Sequence, residues 1–488
     1  MVQVFAGKTN SPDLRTEGYG GGRDTFILVL GALLTAGVAL LAEVSSLIPA
    51  GVAAAVVIAG AAVVAMRDFW TFILLTLAIR PALDAFTTDD PTKSSIEPSA
   101  VVGAALLLMT ALWLIGRHRS GKKLHVSVPT GCICTMMAFI MVSSVASMKF
   151  ASITVAIKLL SATLLLIAFE QFFEERPSRI NQAIGALLIS AVVPFVMAVN
   201  QVFNGGSDVG YHPIGVEDRG QGAVVHPSVL AYFCLVILWT GFMSLYLRRW
   251  RHRRGLLVLV CLSAAPILVL TYTRGAWIAL VAGVVYVGVV LQPKLLAGLA
   301  VVVVLVLLLV PSVTARFSDL QSTNDAVTNT PNSMAWRVQY WGRILPFGER
   351  SPIVGVGLGI MRQTPNYGYE PHSIYVQSFV EGGVFVSASL LASIVASTLA
   401  VRKVRRRSRS QDARVIAVMA AGIGIGFLVE GFTDNLLTQV PLVYAMFVPL
   451  GWIFAASRAP EAFDDYEVEL LSADSPDAEM ALSAPTAS

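Results

Sequence analysis

Residues 295–312 read LLAGLAVVVVLVLLLVPS, which is long and apolar enough to cross a membrane as a helix. This run leads directly into a long polar stretch from Thr314 to His372. On both sides of that stretch the chain is a succession of apolar runs of similar length. The pattern therefore predicts an integral membrane protein with one large loop outside the hydrocarbon core.

The composition supports this interpretation. Of the 488 residues, 55% are hydrophobic and only 14% are charged, whereas soluble domains carry about 25% charged residues. We predict an all-α integral membrane protein with about fourteen transmembrane helices and a large extracytoplasmic loop that contains short helices. The predicted spans lie near 25–42, 47–66, 69–86, 96–116, 130–147, 151–171, 182–202, 224–246, 256–272, 275–291, 295–312, 378–400, 415–433 and 440–456.

Three basic runs set the predicted orientation: 117–123, 248–254 and 402–407. Basic residues beside membrane spans favour the cytoplasmic side. Alternating the spans from an inside N-terminus puts all three runs on that side. The resulting organisation is a cytoplasmic segment (1–24), eleven spans (25–312), the extracytoplasmic loop (313–372), three further spans (373–456) and an acidic cytoplasmic tail expected to be disordered (457–488).

Arg274 is the sharpest single-residue signal, because it lies in Thr273-Arg274-Gly275 between two apolar runs. A guanidinium at a membrane boundary is costly unless it is paired or hydrated. Its planar fork suits bidentate binding of phosphate oxygens. The alternative interpretation is an interfacial arginine that reaches the lipid headgroups.

Two further arginines are candidates for binding an anionic substrate at the predicted outer face. Arg80 precedes Pro81 near the end of a span, and an internal ion pair with Asp84 is the alternative. Arg219 lies in an outer loop close to the start of the next span, and it could equally be an ordinary solvated residue.

The long loop contains a second group of candidates. Asn332-Ser333 can cap a short helix that runs to about Leu345. Helical spacing places Arg337 and Trp341 on one face of it. Stacking rings beside a guanidinium suit a sugar phosphate, although an interfacial helix anchored by aromatic residues has the same composition. A second face carries Trp336, Tyr340 and Arg343.

His372 is the candidate for proton transfer, since a neutral imidazole can accept a hydroxyl proton near pH 7. It precedes an apolar run that carries Gln377 and Glu381, one helical turn apart on the same face. A structural histidine and internal ion pairs are the alternatives. Other ionisable residues in predicted spans should also point away from lipid, namely Lys158, Glu430 and Asp434.

These motifs, in this order, resemble the O-antigen ligase/polymerase superfamily of bacterial membrane glycosyltransferases. The matching pieces are Thr273-Arg274-Gly275-Ala276-Trp277, Arg337 with Tyr340-Trp341, the glycines 355, 357 and 359, Pro371-His372-Ser373-Ile374-Tyr375-Val376-Gln377 with Glu381-Gly382-Gly383, and His226-Pro227-Ser228. One departure is Ser373, where asparagine is common in the family.

The resemblance implies an inverting transferase in the bacterial cytoplasmic membrane, with its active site facing outside. The donor would be a polyprenyl-pyrophosphate-linked glycan and the acceptor a glycan or a lipid, without metal, nucleotide or other cofactor. Arg274 and Arg337 would bind the pyrophosphate, and His372 would activate the acceptor hydroxyl. A flippase and chain-length regulators are the implied protein partners, and nucleic acid is not a partner.

Two other hypotheses remain open from the sequence. A metal-dependent glycosyltransferase would use carboxylates such as Asp89-Asp90, which a solvated turn also explains. A transporter would use intramembrane charges such as Lys158, Glu381 and Glu430. Within the glycosyltransferase hypothesis, the motifs do not separate a polymerase from a ligase, and we favour a polymerase or polymer transferase.

Overall fold

The computed structural model describes residues 59–83, 98–204, 227–290, 293–309, 333–364 and 368–463. These residues form helices and connecting turns, and this part of the chain contains no strand. Residues 59–67 are helical, and fifteen further α-helices follow. They are α1 (Phe69–Leu83), α2 (Pro98–Arg119), α3 (Val128–Ala146), α4 (Phe150–Glu175), α5 (Arg179–Ile189), α6 (Val192–Asn204), α7 (Pro227–Ser244), α8 (Arg254–Leu270), α9 (Arg274–Val290), α10 (Lys294–Leu309), α11 (Ser333–Arg350), α12 (Ile374–Val380), α13 (Gly383–Arg407), α14 (Gln411–Glu430) and α15 (Val440–Arg458).

The helices confirm the predicted all-α membrane architecture. Among the described residues, nine helical segments are long and apolar enough to cross a membrane, and three shorter apolar helices accompany them. These segments coincide with the predicted spans from 69–86 onwards. The predicted span 25–42 lies outside the described residues, and 47–66 is described only from residue 59. The count of about fourteen spans therefore stays a prediction.

The centre of the bundle is formed by helices that are apolar all round, as expected for helices with no solvent-facing side. Every residue from Val440 to Ser457 in α15 is buried. Helix α7 is nearly as enclosed, with Trp239 and Tyr232 among its fully buried side chains. Helices α4, α13 and α14 pack around α15.

The three basic runs meet at one end of the bundle, called the basic end below. Arg117 pairs with Glu175 at the end of α4. Trp250, inside the second run, donates from Nε1 to Asn181 Oδ1 of α5 (3.2 Å). The backbone N–H of Arg248 reaches Asp412 Oδ1 at 3.5 Å, and Asp412 lies in the first turn of α14, the helix that follows the third run. The opposite end carries residues 333–382 and is called the loop end.

The helix boundaries in the structure differ from the predicted ones at three places. The predicted span 182–202 is divided into α5 and α6 by a turn at Ser190 and Ala191. The predicted span near 378–400 corresponds to α13, which begins at Gly383 after a separate short helix, α12. The helix predicted to end near Leu345 continues through Pro346 to Arg350.

Candidate functional site

A small apolar core holds the loop end together. Its buried members are Tyr340 and Ile344 of α11, Met361 of the following turn and Val380 of α12. Aromatic side chains pack around it, including Trp336 and Trp341. This core fixes α11 against α12, so that the segment carrying His372 lies between defined neighbours.

His372 is held on both sides through the backbone. Trp341 donates from Nε1 to the carbonyl of Pro371 (2.7 Å), and the N–H of Ser373 donates to Asn435 Oδ1 (3.0 Å). His372 itself has a φ of 47°, in the left-handed region that non-glycine residues adopt uncommonly. Such backbone conformations persist where neighbouring contacts over-determine them, and they concentrate at functional sites.

The imidazole of His372 is accessible and lies beside a carboxylate. Its side chain is 24% exposed, and Nδ1 lies 3.7 Å from Asp434 Oδ1. The ring of Trp336 packs edge-on against it, with 5.8 Å between centroids. An accessible imidazole with a carboxylate beside one ring nitrogen has the arrangement of a proton acceptor.

Asn435 and Glu370 complete the support of this segment, and the sequence analysis missed both. Asn435 is fully buried, and its Nδ2 donates to Glu370 Oε2 at 2.9 Å. Glu370 Oε1 lies 3.6 Å from Arg362 Nη1. Only their positions in the sequence could have indicated them. Asp434-Asn435 separates two apolar runs, and Glu370 comes two residues before His372.

A second carboxylate, Glu430, links Arg337 and the Arg274 segment to the surroundings of His372. Glu430 ends α14 and is buried, and it interacts electrostatically with both Asp434 and Arg337. Its carboxylate lies directly against the backbone of Gly275, where a β-carbon would collide with Glu430 Oε2 and Thr433 Oγ1. The contact requires glycine at this position.

Arg274 is the first residue of α9 and is half-buried. The residue two positions before it, Tyr272, has a φ of 50°, so the chain turns sharply before the helix begins. Since Gly275 touches Glu430, this turn brings the Arg274 motif to the carboxyl end of α14. The structure thus assembles the Arg274, Arg337 and His372 motifs around Glu430 and Asp434.

The remaining predicted binding residues have other surroundings. Arg80 is buried in α1, where its charge acts on Tyr444 of α15. Arg343 is exposed on α11. Arg219 lies outside the described residues. The same holds for His226, Asp84, Asp89 and Asp90.

Tyr340 and Trp341, both predicted to bind substrate, make hydrogen bonds within the protein. Tyr340 donates from its hydroxyl to the carbonyl of Tyr369 (2.6 Å) and stacks on Trp336 with centroids 5.2 Å apart. Together with the bond from Trp341 to Pro371, this bond fixes the chain just before His372. Both rings therefore position the histidine segment, and their contact with substrate stays a prediction.

The glycine-rich segment folds around Glu381. Glycines 355, 357 and 359 all have positive φ values (65°, 99° and 76°). A β-carbon at Gly355 would collide with the backbone of Glu381 and Gly382, so the two segments approach too closely for a side chain. The N–H of Gly357 donates to the carbonyl of Glu381 (2.9 Å).

The carboxylate of Glu381 is fully buried inside this loop. It accepts hydrogen bonds from the N–H groups of Gly359 (2.9 Å) and Met361 (3.0 Å) and from Gln377 Nε2 (2.8 Å). Burial raises the pKa of Glu381 to about 7, against the opposing effect of these donors. Glu381 and Gln377 thus organise the loop, and direct substrate binding by either residue stays a prediction.

Replacing Glu381 with glutamine is expected to destabilise the loop end. One of the acceptor oxygens becomes an amide N–H₂ that faces a backbone donor, so that a buried hydrogen bond is lost at a cost of about 1–3 kcal/mol. Thermal unfolding of the purified protein should show a lower Tm for Glu381→Gln. Glu349→Gln removes an exposed carboxylate of α11 and serves as the control. Equal Tm values for the two variants would contradict this role.

Within the described ranges, no group of three or more histidine, cysteine, aspartate or glutamate side chains has the arrangement of a metal site. The carboxylate pair Asp89-Asp90, on which the metal-dependent alternative rests, is outside those ranges.

Comparison with known families identifies the part of the chain that carries this site. Residues 257–391 match a family model described as O-Antigen ligase. The matched segment begins in α8 and ends in α13, and it contains Arg274, Arg337 and His372. A search of curated proteins found no match. The carboxylates Glu430 and Asp434 lie beyond the matched segment: Glu430 ends α14, the helix that packs most closely on α9, and Asp434 is in the turn after it.

Proposed function

Because residues 257–391 carry an O-antigen ligase domain in a multi-pass helical membrane protein, we propose that the chain is an inverting, metal-independent glycosyltransferase. It takes a polyprenyl-pyrophosphate-linked glycan as donor and passes the glycan to a glycan or lipid acceptor. The reaction occurs at the loop end, on the extracytoplasmic face of the bacterial cytoplasmic membrane. The domain match supports the coarser function, a membrane enzyme that transfers glycans.

One observation carries the finer proposal: three motifs distant in sequence meet at two carboxylates. The backbone of Gly275 touches Glu430, Arg337 interacts with the same carboxylate, and His372 lies 3.7 Å from Asp434. Two arginine-bearing segments and an accessible imidazole thus meet at neighbouring carboxylates, a combination that can supply an anion-binding element and a proton acceptor.

In the proposed reaction, the acceptor hydroxyl attacks the anomeric carbon of the donor sugar. The new glycosidic C–O bond forms as the bond between that carbon and the pyrophosphate oxygen breaks, with inversion of configuration. His372 accepts the hydroxyl proton through the ring nitrogen that faces away from Asp434. Asp434 stabilises the resulting imidazolium, which later releases the proton to solvent.

Arg274 and Arg337 act on the leaving group. The polyprenyl pyrophosphate gains negative charge as the C–O bond breaks, and fixed guanidinium donors stabilise that charge most in the transition state. In the absence of donor, Glu430 balances Arg337 and keeps the guanidinium at the site. Arg343 is exposed on the same helix, and this proposal gives it no part in binding the leaving group.

Reconstitution tests this function directly. The purified protein in detergent is incubated with a polyprenyl-pyrophosphate-linked oligosaccharide and an acceptor, with and without EDTA, and both products are followed by mass spectrometry. We expect chelator-resistant release of polyprenyl pyrophosphate and an extended glycan. A ladder of repeat units indicates a polymerase, and a single transfer to a lipid indicates a ligase. Bound donor without turnover for any acceptor class would contradict the proposal, and loss of turnover in EDTA would contradict metal independence.

Replacing Gly275 with alanine should lower the transfer rate by about 100-fold. The added methyl group collides with Glu430 and Thr433, and displacement of a catalytic group by about 1 Å can have an effect of this size. Gly342→Ala is the matched control, because a β-carbon at Gly342 meets nothing within 4 Å. Initial rates of polyprenyl pyrophosphate release measure the effect, and equal rates for both variants would speak against the contact.

A further inference from the structure

A large apolar cleft lies between α9, α13 and α14, and residues of α3 and α15 also line it. Its volume is about 560 Å³. Most of the lining is aliphatic or aromatic, including Val290, Leu390, Val401, Phe427 and Phe447. The size and composition suit a hydrocarbon chain rather than a small polar solute.

The cleft has positive charge where it reaches the basic end. Arg402, Arg405 and Arg406 all line it. Arg402 and Arg406 are exposed, and Arg405 Nη1 lies 3.5 Å from the hydroxyl of Tyr286 across the cleft. In the described part of the chain, no carboxylate forms an ion pair with any of the three. Two of these arginines are adjacent and the third is one helical turn away, so their guanidinium groups can converge on one anion.

We propose that this cleft binds an anionic phospholipid of the membrane, with its phosphate on Arg402, Arg405 and Arg406 and an acyl chain along the apolar lining. Basic pockets between transmembrane helices on the cytoplasmic side are suited to anionic lipid headgroups. The two parts of the cleft match the two parts of such a lipid, since among the described lining residues the charged ones are the three arginines at the basic end. The proposal does not depend on the proposed glycosyl transfer.

The tail of the donor lipid is the competing occupant of the same space. Its pyrophosphate would bind at the loop end, beside Arg274 and Arg337, and would leave the three arginines of α13 without a ligand. The positive charge at the basic end therefore favours a lipid whose head lies there. Basic residues after a span are also explained by their role in setting the orientation of a membrane protein, but that role does not require them to line a cleft.

Gly424 provides a way to fill the cleft without disturbing the helix. It lines the cleft on α14, and a β-carbon added there meets nothing within 4 Å. A phenylalanine at this position extends into the space that the acyl chain would occupy. Gly103 of α2 has equally open surroundings and does not line the cleft, so Gly103→Phe is the matched control.

The test compares lipid binding by purified full-length protein in detergent. Native mass spectrometry measures retention of phosphatidylglycerol and of phosphatidylcholine, titrated separately. We expect the wild type to prefer phosphatidylglycerol, and the triple variant Arg402→Gln, Arg405→Gln, Arg406→Gln to bind it about 10-fold more weakly or worse. The variant Lys123→Gln, Arg251→Gln, Arg254→Gln removes equal charge from exposed sites of the basic end outside the cleft, and it should bind as the wild type does.

The glycine variants distinguish lipid binding inside the cleft from attraction of lipid to surface charge. Gly424→Phe should weaken phosphatidylglycerol binding, whereas Gly103→Phe should not. Equal losses in both triple variants would show attraction to general surface charge and overturn the proposal. Displacement of bound polyprenyl pyrophosphate by Gly424→Phe, with phosphatidylglycerol binding unchanged, would assign the cleft to the donor tail and also overturn it.

Discussion

Replacing His372 with alanine is expected to lower the rate of glycan transfer by about 10²- to 10⁴-fold, the usual contribution of a general base. The effect should fall on kcat, because the imidazole acts on the acceptor proton and not on the donor pyrophosphate. Donor binding should change little, since the segment remains fixed by Trp341 and Asn435. The measurement is the initial rate of polyprenyl pyrophosphate release at saturating donor and acceptor.

His118→Ala is the control for this variant, because His118 is an exposed histidine at the basic end. It should retain the wild-type rate. If His372→Ala kept most of its activity while its donor affinity fell, the histidine would be a binding residue. The assignment of the proton acceptor would then be wrong.

Replacing Arg337 with alanine should reduce kcat/KM by about 10²- to 10³-fold, comparable to the loss of one oxyanion-stabilising donor. Arg337 lies close enough to Glu430 to interact with it electrostatically, and Glu430 touches the turn that carries Arg274. The proposed function assigns this guanidinium to the charge that the leaving pyrophosphate gains. Arg337→Lys should recover activity only in part, because an ammonium group lacks the planar fork.

Arg343→Ala is the matched control for Arg337→Ala. It removes the same side chain from the same helix, at an exposed position. Kinetics over a range of donor concentrations should show near-wild-type kcat/KM for this control. Equal losses in the two variants would mean that α11 contributes only general positive charge, and pyrophosphate binding by Arg337 would be rejected.

The architecture was predictable from sequence because the membrane restricts what a chain can do. Apolar runs of sufficient length must form helices in hydrocarbon. The basic runs gave an independent check on the orientation of these helices. The contacts from Arg117 through Trp250 to Asp412 agree with that check. The break that separates α12 from α13 was not visible, because hydropathy continues across it.

The site was predictable only in its separate motifs. Arg274, Arg337 and His372 were recognisable from residue type and local position, but the packing of α9 on α14 depends on contacts between helices distant in sequence. Apolar periodicity gives no information on which helix a face contacts. Glu430 and Asp434 were therefore noted only as charges in spans, and Asn435 was not noted at all. Conversely, Glu381 has the features of a substrate ligand in sequence, whereas its hydrogen bonds hold the glycine loop.

A structure of the His372→Ala variant bound to a polyprenyl-pyrophosphate-linked glycan would test the central claim most directly. The variant should bind donor without consuming it. The account predicts that the pyrophosphate lies within hydrogen-bond distance of Arg274 and Arg337, with the anomeric carbon facing the position of the missing imidazole. A pyrophosphate bound elsewhere, for example beside Arg402, Arg405 and Arg406 at the basic end, would contradict it.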